Sequence, residues 1–285
     1  MARIRLITDS ACDLPQDLVT DLDIDVVSLT IRFGDDEFVD RVELTPADFW
    51  SKCANSKVLP ETAAPSPGAF QDAYERARDA GFDGALVVTI SAALSATHQS
   101  ASLAATHVTD FAVRVVDSQA VSMALGLMVL DLAEAARTGL SLDVLEARAL
   151  ALRERVGVCG ALDTLEHLVK GGRVGGARAL LGQVLSIKPL LELKDGVVAE
   201  AGRQRTRARA LSAIVDVARQ HAPLARLAIV HGNAPDIASV VSLADSIPVE
   251  HPVIVTDMGP VVGTHGGPRI VAMCWIVAAP APLHS

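Results

Sequence analysis

The sequence predicts an α/β protein with an N-terminal three-layer domain on a parallel sheet and a C-terminal domain with a mixed sheet and helices. Short, apolar, β-branched runs alternate with helix-like segments, a pattern typical of helices packed on both faces of a parallel sheet. Half of the 285 residues are hydrophobic but only 3% are aromatic, so the core must consist mainly of Ala, Val, Leu and Ile. This length allows two modest domains. We place the boundary near residue 156, which gives domains at residues 1–155 and 156–285.

Composition and charge exclude several classes of protein. The formal net charge of −9 argues against a general nucleic-acid binder, which needs a basic face. The four cysteines are far apart and the eight histidines lack metal-ligand spacing, so we expect buried, reduced thiols and no metal site. Because no apolar stretch reaches the roughly 18–20 residues that span a bilayer, we expect no transmembrane segment and a soluble, cytoplasmic protein.

Four strands and their following helices are predicted in the first half. The strands are predicted at residues 3–8, 24–33, 86–90 and 111–116. Helices are predicted at residues 46–55, 121–137 and 142–155. Two more are predicted, one that begins at residue 67 and one that ends at about residue 106. Polar residues 8–10 end the first strand, and the Pro15 that follows is typical of a βα junction that lines a site. Residues 62–68 predict an irregular loop, because each proline biases its predecessor toward an extended conformation.

The second half predicts more strands and two glycine-rich loops. Strands are predicted near residues 158–162, at 227–230, 253–255 and 270–277, and in a hairpin of 186–193 with 197–201. Helices are predicted at residues 163–170 and 236–246, and a further helix is predicted to end near residue 221. Residues 170–176 lack the Gly-Lys-Ser/Thr ending of a phosphate-binding loop, which favours a helix C-cap followed by a new helix start. Residues 259–268 are the most glycine-dense loop.

One turn in the first half suits a small anion. Ser91 and Ser95 bracket the turn that follows the buried strand at residues 86–90. In open α/β sheets, ligands bind beyond the carboxyl ends of the strands, where helix N-termini point free N–H groups outward. The alternative is that both serines only cap the following helix, and the local sequence by itself favours that alternative.

Standard catalytic motifs are missing from the sequence. It has no Gly-x-Ser-x-Gly elbow, no Walker A loop and no Gly-x-Gly-x-x-Gly after the first strand, so we predict no catalytic residue. The remaining polar candidates are loop hydroxyls, one loop histidine and one arginine: Thr62, Ser91, Ser95, His265 and Arg173. Such groups hydrogen-bond a carboxylate or phosphate without reacting with it.

Seven short motifs occur in a fixed order along nearly the whole chain. They are Thr8-Asp9-Ser10-x-x-Asp13-Leu14-Pro15, Pro65-Ser66-Pro67-Gly68-x-Phe70, Leu94-Ser95-x-Thr97-x-Gln99-Ser100-Ala101, Asp117-Ser118, Leu165-x-x-Leu168-x-Lys170-Gly171-Gly172-Arg173, Ile187-Lys188-Pro189 and Gly259-Pro260-Val261-Val262-Gly263-Thr264-His265. This ordered set resembles the DegV family. The resemblance implies two α/β domains, with one long-chain fatty acid in a tunnel and its head group near the domain interface.

The resemblance also implies a role and a set of site residues. Bacterial proteins of this kind are the acyl-carrying subunit of fatty acid kinase, whose separate ATP-binding subunit phosphorylates the bound carboxylate for phospholipid synthesis. Carried over by motif, the residues that would hold the carboxylate are Thr62, Ser95 and His265. The residues that would face the kinase subunit or stabilise phosphoryl charge are Arg173 and Arg205, although Arg203 and Arg207 compete with Arg205 for that position. No cofactor besides the fatty acid ligand is implied.

The chain departs from the family pattern at three places. Ala63 stands where the family usually has serine, which removes one possible hydrogen bond to the head group. Ala96 begins an Ala-Thr-His triplet in place of Gly-Thr-Tyr, and Arg269 replaces a glycine. We expect these changes to affect head-group geometry and chain preference more than the function itself.

Two other functions remain open. The fold is similar to the substrate-binding half of dihydroxyacetone kinases, in which a histidine forms a covalent adduct with the substrate. A stand-alone enzyme or phosphotransfer component acting on a small phosphorylated or carbonyl substrate is therefore the alternative, with His265 as the candidate for that part. A regulatory protein that binds another lipid is the third possibility.

Overall fold

The computed structural model describes residues 1–180 and 187–279 of the chain. The strands are β1 (Ile4–Asp9), β2 (Asp25–Val27), β3 (Thr30–Phe33), β4 (Asp36–Val39), β5 (Glu61–Ala63), β6 (Gly84–Thr89), β7 (Ala112–Asp117), β8 (Val156–Ala161), β9 (Lys188–Lys194), β10 (Val197–Gln204), β11 (Leu224–His231), β12 (Ile254–Asp257) and β13 (Val271–Val277). The α-helices are α1 (Gln16–Asp21), α2 (Pro46–Asn55), α3 (Pro67–Asp79), α4 (Thr97–His107), α5 (Met123–Ala136), α6 (Leu142–Arg153), α7 (Glu166–Lys170), α8 (Arg207–Gln220), α9 (Ile237–Ala244) and α10 (Pro260–Gly266). Two short 3-10 segments cover Ser10–Cys12 and Gly175–Leu180.

The first half is a three-layer structure on a parallel sheet, as predicted. Its four strands lie in the order β2-β1-β6-β7, and every residue of the central β6 is buried. Helices α3 and α4 pack on one face of the sheet, and α5 and α6 pack on the other. The continuous apolar run of β6 is what a strand covered on both faces requires.

Two predictions for the first half are wrong in detail. The predicted strand at residues 24–33 is two strands, because the Leu29 N–H donates to Ser10 Oγ at 3.0 Å and the chain leaves the parallel sheet there. Its second part, β3, is the middle strand of a small antiparallel sheet, β4-β3-β5. The predicted irregular loop at residues 62–68 begins within β5, since extended residues ahead of a proline form a strand when a free sheet edge lies beside them.

The second half is built on a mixed sheet in the order β10-β9-β8-β13-β11-β12. Only β11 and β12 run parallel among its described pairs. The predicted hairpin is confirmed as β9 and β10, although Ser186, where we expected it to begin, lies outside the described residues, as do residues 280–285 at the end of the predicted second domain. Helix α8 packs on one face of this sheet, with α9 beside it.

The predicted glycine-dense loop at residues 259–268 is mostly the helix α10, so that prediction is wrong. Pro260 occupies its first turn, where the missing N–H costs nothing. The Gly263 N–H donates to the Gly259 carbonyl and the Gly267 N–H to the Gly263 carbonyl, both at 2.9 Å. Thr264 Oγ1 also donates to the Pro260 carbonyl at 2.8 Å. These local bonds outweigh the low helix propensity of glycine.

Helix α5 lies between the two sheets. All its residues are buried except Asp131 and Glu134. It contacts β1 and β6 on one side and β8, β11 and β13 on the other. On β11, the buried guanidinium of Arg226 pairs with Glu134. One apolar core therefore runs through both halves, and the domain boundary near residue 156, where β8 begins, stays a prediction.

The helices and the side chains that can bind metals were considered above from the sequence, and the described residues add two facts. Over residues 1–180 and 187–279, none of the helices has the length and apolar character needed to span a membrane. Within the same ranges, no three His, Cys, Asp or Glu side chains converge as a metal site would require.

Candidate functional site

A cavity lies between the carboxyl ends of the parallel strands and one face of the mixed sheet. It contains about 860 Å³ of empty space, counting the solvent at its mouth. Ile90, just after β6, and Val121, after β7, line it on one side. Apolar residues of the second half form much of the rest: Val158, Leu162, Leu191, Leu193, Val198 and Ala272. A crevice beyond the carboxyl ends of the strands is where open α/β sheets bind ligands.

Polar residues line part of this cavity as well. They include the three residues that the sequence predicted for a carboxylate, which lie far apart in the chain: Thr62, Ser95 and His265. Arg173 and Ser122 line the same cavity. The structure thus brings four of the five predicted site residues together. The fifth, Arg205, is an exposed residue between β10 and α8 and does not line the cavity.

Thr62 and His265 form a hydrogen-bonded pair across the cavity wall. Thr62 Oγ1 lies 3.0 Å from His265 Nε2. The pairing of β5 with β3 positions the threonine, and α10 carries the histidine. Burial, together with the nearby side chains of Arg173 and His167, lowers the pKa of His265 to about 4. The imidazole is therefore neutral at pH 7, with one donor nitrogen and one acceptor nitrogen.

Gly171 makes room for the imidazole of His265. A Cβ atom at this position would overlap Nδ1 of the ring, a buried nitrogen that has no hydrogen-bond partner among the described residues. Gly171 has a φ of −72° and forms the C-cap of α7, as predicted, and the next helical segment starts at Gly175. The sequence predicted the cap but missed the steric reason for the glycine, because the ring that it contacts comes from the other end of the chain.

The two serines of the predicted anion turn have different roles. Ser95 lines the cavity, and its Oγ accepts the Thr97 N–H at 3.3 Å. The hydroxyl of Ser91 instead donates to the Gly196 carbonyl at 2.7 Å, which ties this turn to the β9–β10 hairpin. The N-cap residue of α4 is Ala96, whose own side chain makes no cap hydrogen bond, and Thr97 is the first residue of the helix. The interpretation that both serines only cap α4 is therefore wrong for Ser91.

Arg173 braces the polar part of the cavity. Its Nε donates to the Leu94 carbonyl at 3.1 Å, directly before Ser95. Its Nη1 donates to the Gly171 carbonyl at 2.6 Å, beside the ring of His265. The guanidinium thus links the two segments that present Ser95 and His265, and it adds a positive charge next to them.

The predicted βα junction after β1 does not line the cavity. Asp9, Ser10 and Asp13 of its motif are buried elsewhere. Burial raises the pKa of Asp9 to about 7 and that of Asp13 to about 6, although backbone N–H donors and the nearby Arg41 offset part of the effect. The sequence identifies this motif but does not reveal that it lies outside the cavity lining.

Comparisons with known proteins identify the family. A family model described as an uncharacterised protein of the DegV family matches residues 3–278. A DegV domain-containing protein of Mycobacterium tuberculosis is 36% identical over 283 residues, which cover 97% of this chain and 98% of that protein. Among solved structures, a fatty-acid-binding DegV family protein from Thermus thermophilus is 36% identical, with a TM-score of 0.89 over 97% of this chain and 100% of that one.

A second solved structure agrees with the first. DegV of Bacillus subtilis, a fatty acid binding protein, is 27% identical to this chain, with a TM-score of 0.87. The match covers 98% of this chain and 100% of the Bacillus chain. The ordered motifs, the two sheets and these matches agree over nearly the full length. The chain belongs to the DegV family.

Proposed function

We propose that this protein binds one long-chain fatty acid, with the acyl chain in the apolar part of the cavity and the carboxylate among Thr62, Ser95 and His265. The observation that carries this proposal is that three polar residues from distant parts of the sequence line a cavity that is otherwise mostly apolar. The fatty acid binding of the Thermus and Bacillus relatives supports it.

The energetics agree with a fatty acid as the ligand. Burial of each methylene contributes about 0.8 kcal/mol, so about 14 methylenes contribute about 11 kcal/mol before the entropy of binding is subtracted. A carboxylate without partners at the polar end would cost several kcal/mol. The hydroxyl of Ser95 supplies one donor there, and the Thr62–His265 pair supplies another: when His265 Nε2–H donates to Thr62 Oγ1, the threonine hydroxyl is free to donate to the carboxylate.

We further propose that the protein presents this carboxylate to a separate ATP-binding kinase subunit, which forms the acyl phosphate used in phospholipid synthesis. The protein then carries out no catalysis of its own. Arg173 lies beside the head-group residues, where it stabilises phosphoryl charge, and the exposed Arg205 contacts the kinase subunit. The alternative, a stand-alone enzyme for a small substrate, gains no support from an apolar cavity.

The ligand class is tested by purifying the protein without added lipid, extracting it with solvent and identifying fatty acids by mass spectrometry. We expect about one fatty acid per chain. A protein that is empty and takes up no added fatty acid would contradict the proposal and favour the small-substrate alternative.

The presentation step is tested with the kinase subunit and ATP, by measuring acyl phosphate. We expect Arg205→Ala to retain the lipid and to lower turnover about tenfold or more. Arg76→Ala is a matched control, because Arg76 is also exposed but pairs with Asp25 beside the parallel sheet. Equal turnover in both variants would remove Arg205 from the proposed interface.

A further inference from the structure

The motif Thr8-Asp9-Ser10-x-x-Asp13 has no place in the function proposed so far, although these four side chains are buried. We propose that Asp9, Ser10 and Asp13 are positioning residues that together set the geometry of the carboxylate site. The inference rests on the proposed function. Each of the three side chains accepts a backbone N–H from a different segment, and each segment leads to a different head-group residue.

Asp9 holds the segment that leads to Ser95. Its Oδ2 accepts the Ile90 N–H at 2.7 Å, at the point where the chain leaves β6. Its Oδ1 accepts the Ala11 N–H at 3.0 Å. Both carboxylate oxygens of Asp9 therefore accept from backbone N–H groups, which can only donate.

Ser10 holds the segment that leads to Thr62. Its Oγ accepts the Leu29 N–H at 3.0 Å. Leu29 lines the cavity and precedes β3, and Ile31 of β3 pairs with Thr62 of β5. The position of the threonine hydroxyl thus depends on where Ser10 holds β3.

Asp13 holds the helix that carries His265. Its Oδ1 accepts the N–H of Gly259, the N-cap residue of α10, at 3.0 Å. Its Oδ2 accepts the hydroxyl of Ser122 at 2.6 Å, at the start of α5. A Cβ at Gly259 would lie only 2.6 Å from Asp13 Oδ1, so the two elements are in close contact.

Through these contacts, one short turn fixes the positions of three segments that are distant in the sequence. The 3-10 segment Ser10–Cys12 lies within the motif, and α5 and α10 both pack against it. A binding site loses affinity when its groups move by about 1 Å. Loss of one anchor should therefore weaken recognition of the carboxylate and leave the apolar wall unchanged.

The experiment compares the dissociation constants of palmitic acid and 1-hexadecanol, which share an apolar chain and differ in the head group. For Asp9→Asn, we expect the preference for the acid to fall about tenfold, because asparagine has one acceptor oxygen for two fixed N–H donors. For Asp13→Ala we expect a similar loss. Asp13→Asn should restore the preference, because the hydroxyl of Ser122 can reverse and accept from the amide.

Two further variants keep the test decisive if Asp9→Asn or Asp13→Ala fails to fold. Gly259→Ala pushes on Asp13 from the other side of the contact, at a φ of −70° that alanine adopts freely, and should lower the preference for the acid. Thr8→Val is the matched control: Thr8 Oγ1 donates to the Val88 carbonyl at 2.8 Å inside β6, whose position the pairing with β1 and β7 already fixes. It should leave the preference unchanged.

The outcomes separate this inference from the proposed function. If the wild-type protein shows no preference for the acid, the proposed carboxylate site is wrong. The inference, which rests on that site, is then wrong as well. Wild-type preference that persists in folded Asp9→Asn and Gly259→Ala proteins would overturn the inference alone. An equal loss of affinity for acid and alcohol would also overturn it, since that result indicates a purely structural role.

Discussion

The apolar and polar parts of the cavity are built in different ways. Strands β8, β9, β10 and β13 supply much of the apolar wall, and their ladder of backbone hydrogen bonds makes it a continuous surface. The polar part combines an edge strand, a turn and a seven-residue helix, each held in place by a few side-chain bonds. Affinity should therefore grow with buried area at the wall and depend on single hydrogen bonds at the polar part.

The largest expected effect tests the wall. A Cβ at Gly160 would lie 3.7 Å from the Cβ of Ala272 and Cδ1 of Leu162, two cavity residues, so the strand accepts a side chain there. In Gly160→Phe, the ring should displace about five methylenes of a long chain, a loss of about 4 kcal/mol or nearly 1000-fold in affinity. Calorimetry with palmitate and octanoate measures this effect. Octanoate should lose far less, and an equal loss for both acids would contradict a wall that accommodates the chain.

The next effect tests the polar part. Ser95→Ala should weaken palmitate binding about 10- to 100-fold, because a hydrogen bond to a charged group contributes about 1.5–3 kcal/mol. Binding of 1-hexadecanol should change little. Ser91→Ala is the matched control, because this serine of the same turn bonds to Gly196 and does not line the cavity. The assignment fails if both variants keep the wild-type preference for the acid.

A smaller effect is expected from the glycine beside His265. In Gly171→Ala, the new Cβ overlaps the ring, so the imidazole must leave the position in which it bonds to Thr62. We expect about tenfold weaker palmitate binding, equivalent to about 1.4 kcal/mol. Gly176→Ala is the control, since a Cβ there would meet its nearest atom, the Val198 carbonyl oxygen, at 3.4 Å. Unchanged affinity in Gly171→Ala would show that the ring position does not matter.

The polar part should also respond to pH in the ligand-free protein. The folded pKa of His265, about 4, lies below its ordinary value of 6.5, so this residue stabilises the fold above pH 6.5. That contribution is lost as the pH falls toward 4, because the unfolded chain takes up the proton first. We expect the free energy of unfolding of wild type, relative to His265→Gln, to fall by about 3 kcal/mol between pH 7 and 4. Denaturant melts of both proteins measure it, and a constant difference would contradict a neutral buried ring.

The smallest effect is expected at Arg269, which joins α10 to the wall strand β13. Its φ of +62° explains why a glycine suits this position, and its Nε lies 3.5 Å from Asp163 Oδ2 in a half-exposed ion pair. Arg269→Gly should be about 1 kcal/mol more stable than Arg269→Ala, which keeps the strained backbone without the ion pair. Thermal melts compare the two variants, and palmitate affinity should be the same in both. Equal melting temperatures would show that the backbone carries no strain.

Sequence patterns predicted the parts of the fold that local rules control. The buried run of β6, the bounds of α2 and the start of α3 at Pro67 all appear where expected. The helix α10 could not be predicted in this way, because glycine-rich segments favour loops by themselves. Its first residues are held by Asp13, which lies 246 positions away from Gly259 in the chain.

The candidate site was predictable only through its motifs. The likeness to a known family selected Thr62, Ser95, His265 and Arg173, and the structure brings all four to one cavity. Their roles toward a carboxylate stay predictions. Composition could not distinguish a cavity wall from a packed core, because the same aliphatic residues build both. Ser91 and Ser95 have different roles because Ser91 contacts the β9–β10 hairpin, and no local sequence pattern reveals that contact.

The apolar surface of α5 has a consequence for synthesis of the chain on the ribosome. Residues Met123–Ala136 are made long before their last partner strand, β13, which ends at Val277. At about 5–20 residues per second, this interval lasts roughly 7–30 s. During that time, the side of the helix that will face the second sheet is exposed to water and to other nascent chains. We expect molecular chaperones to bind this helix during translation, and slower translation of the second half to increase aggregation.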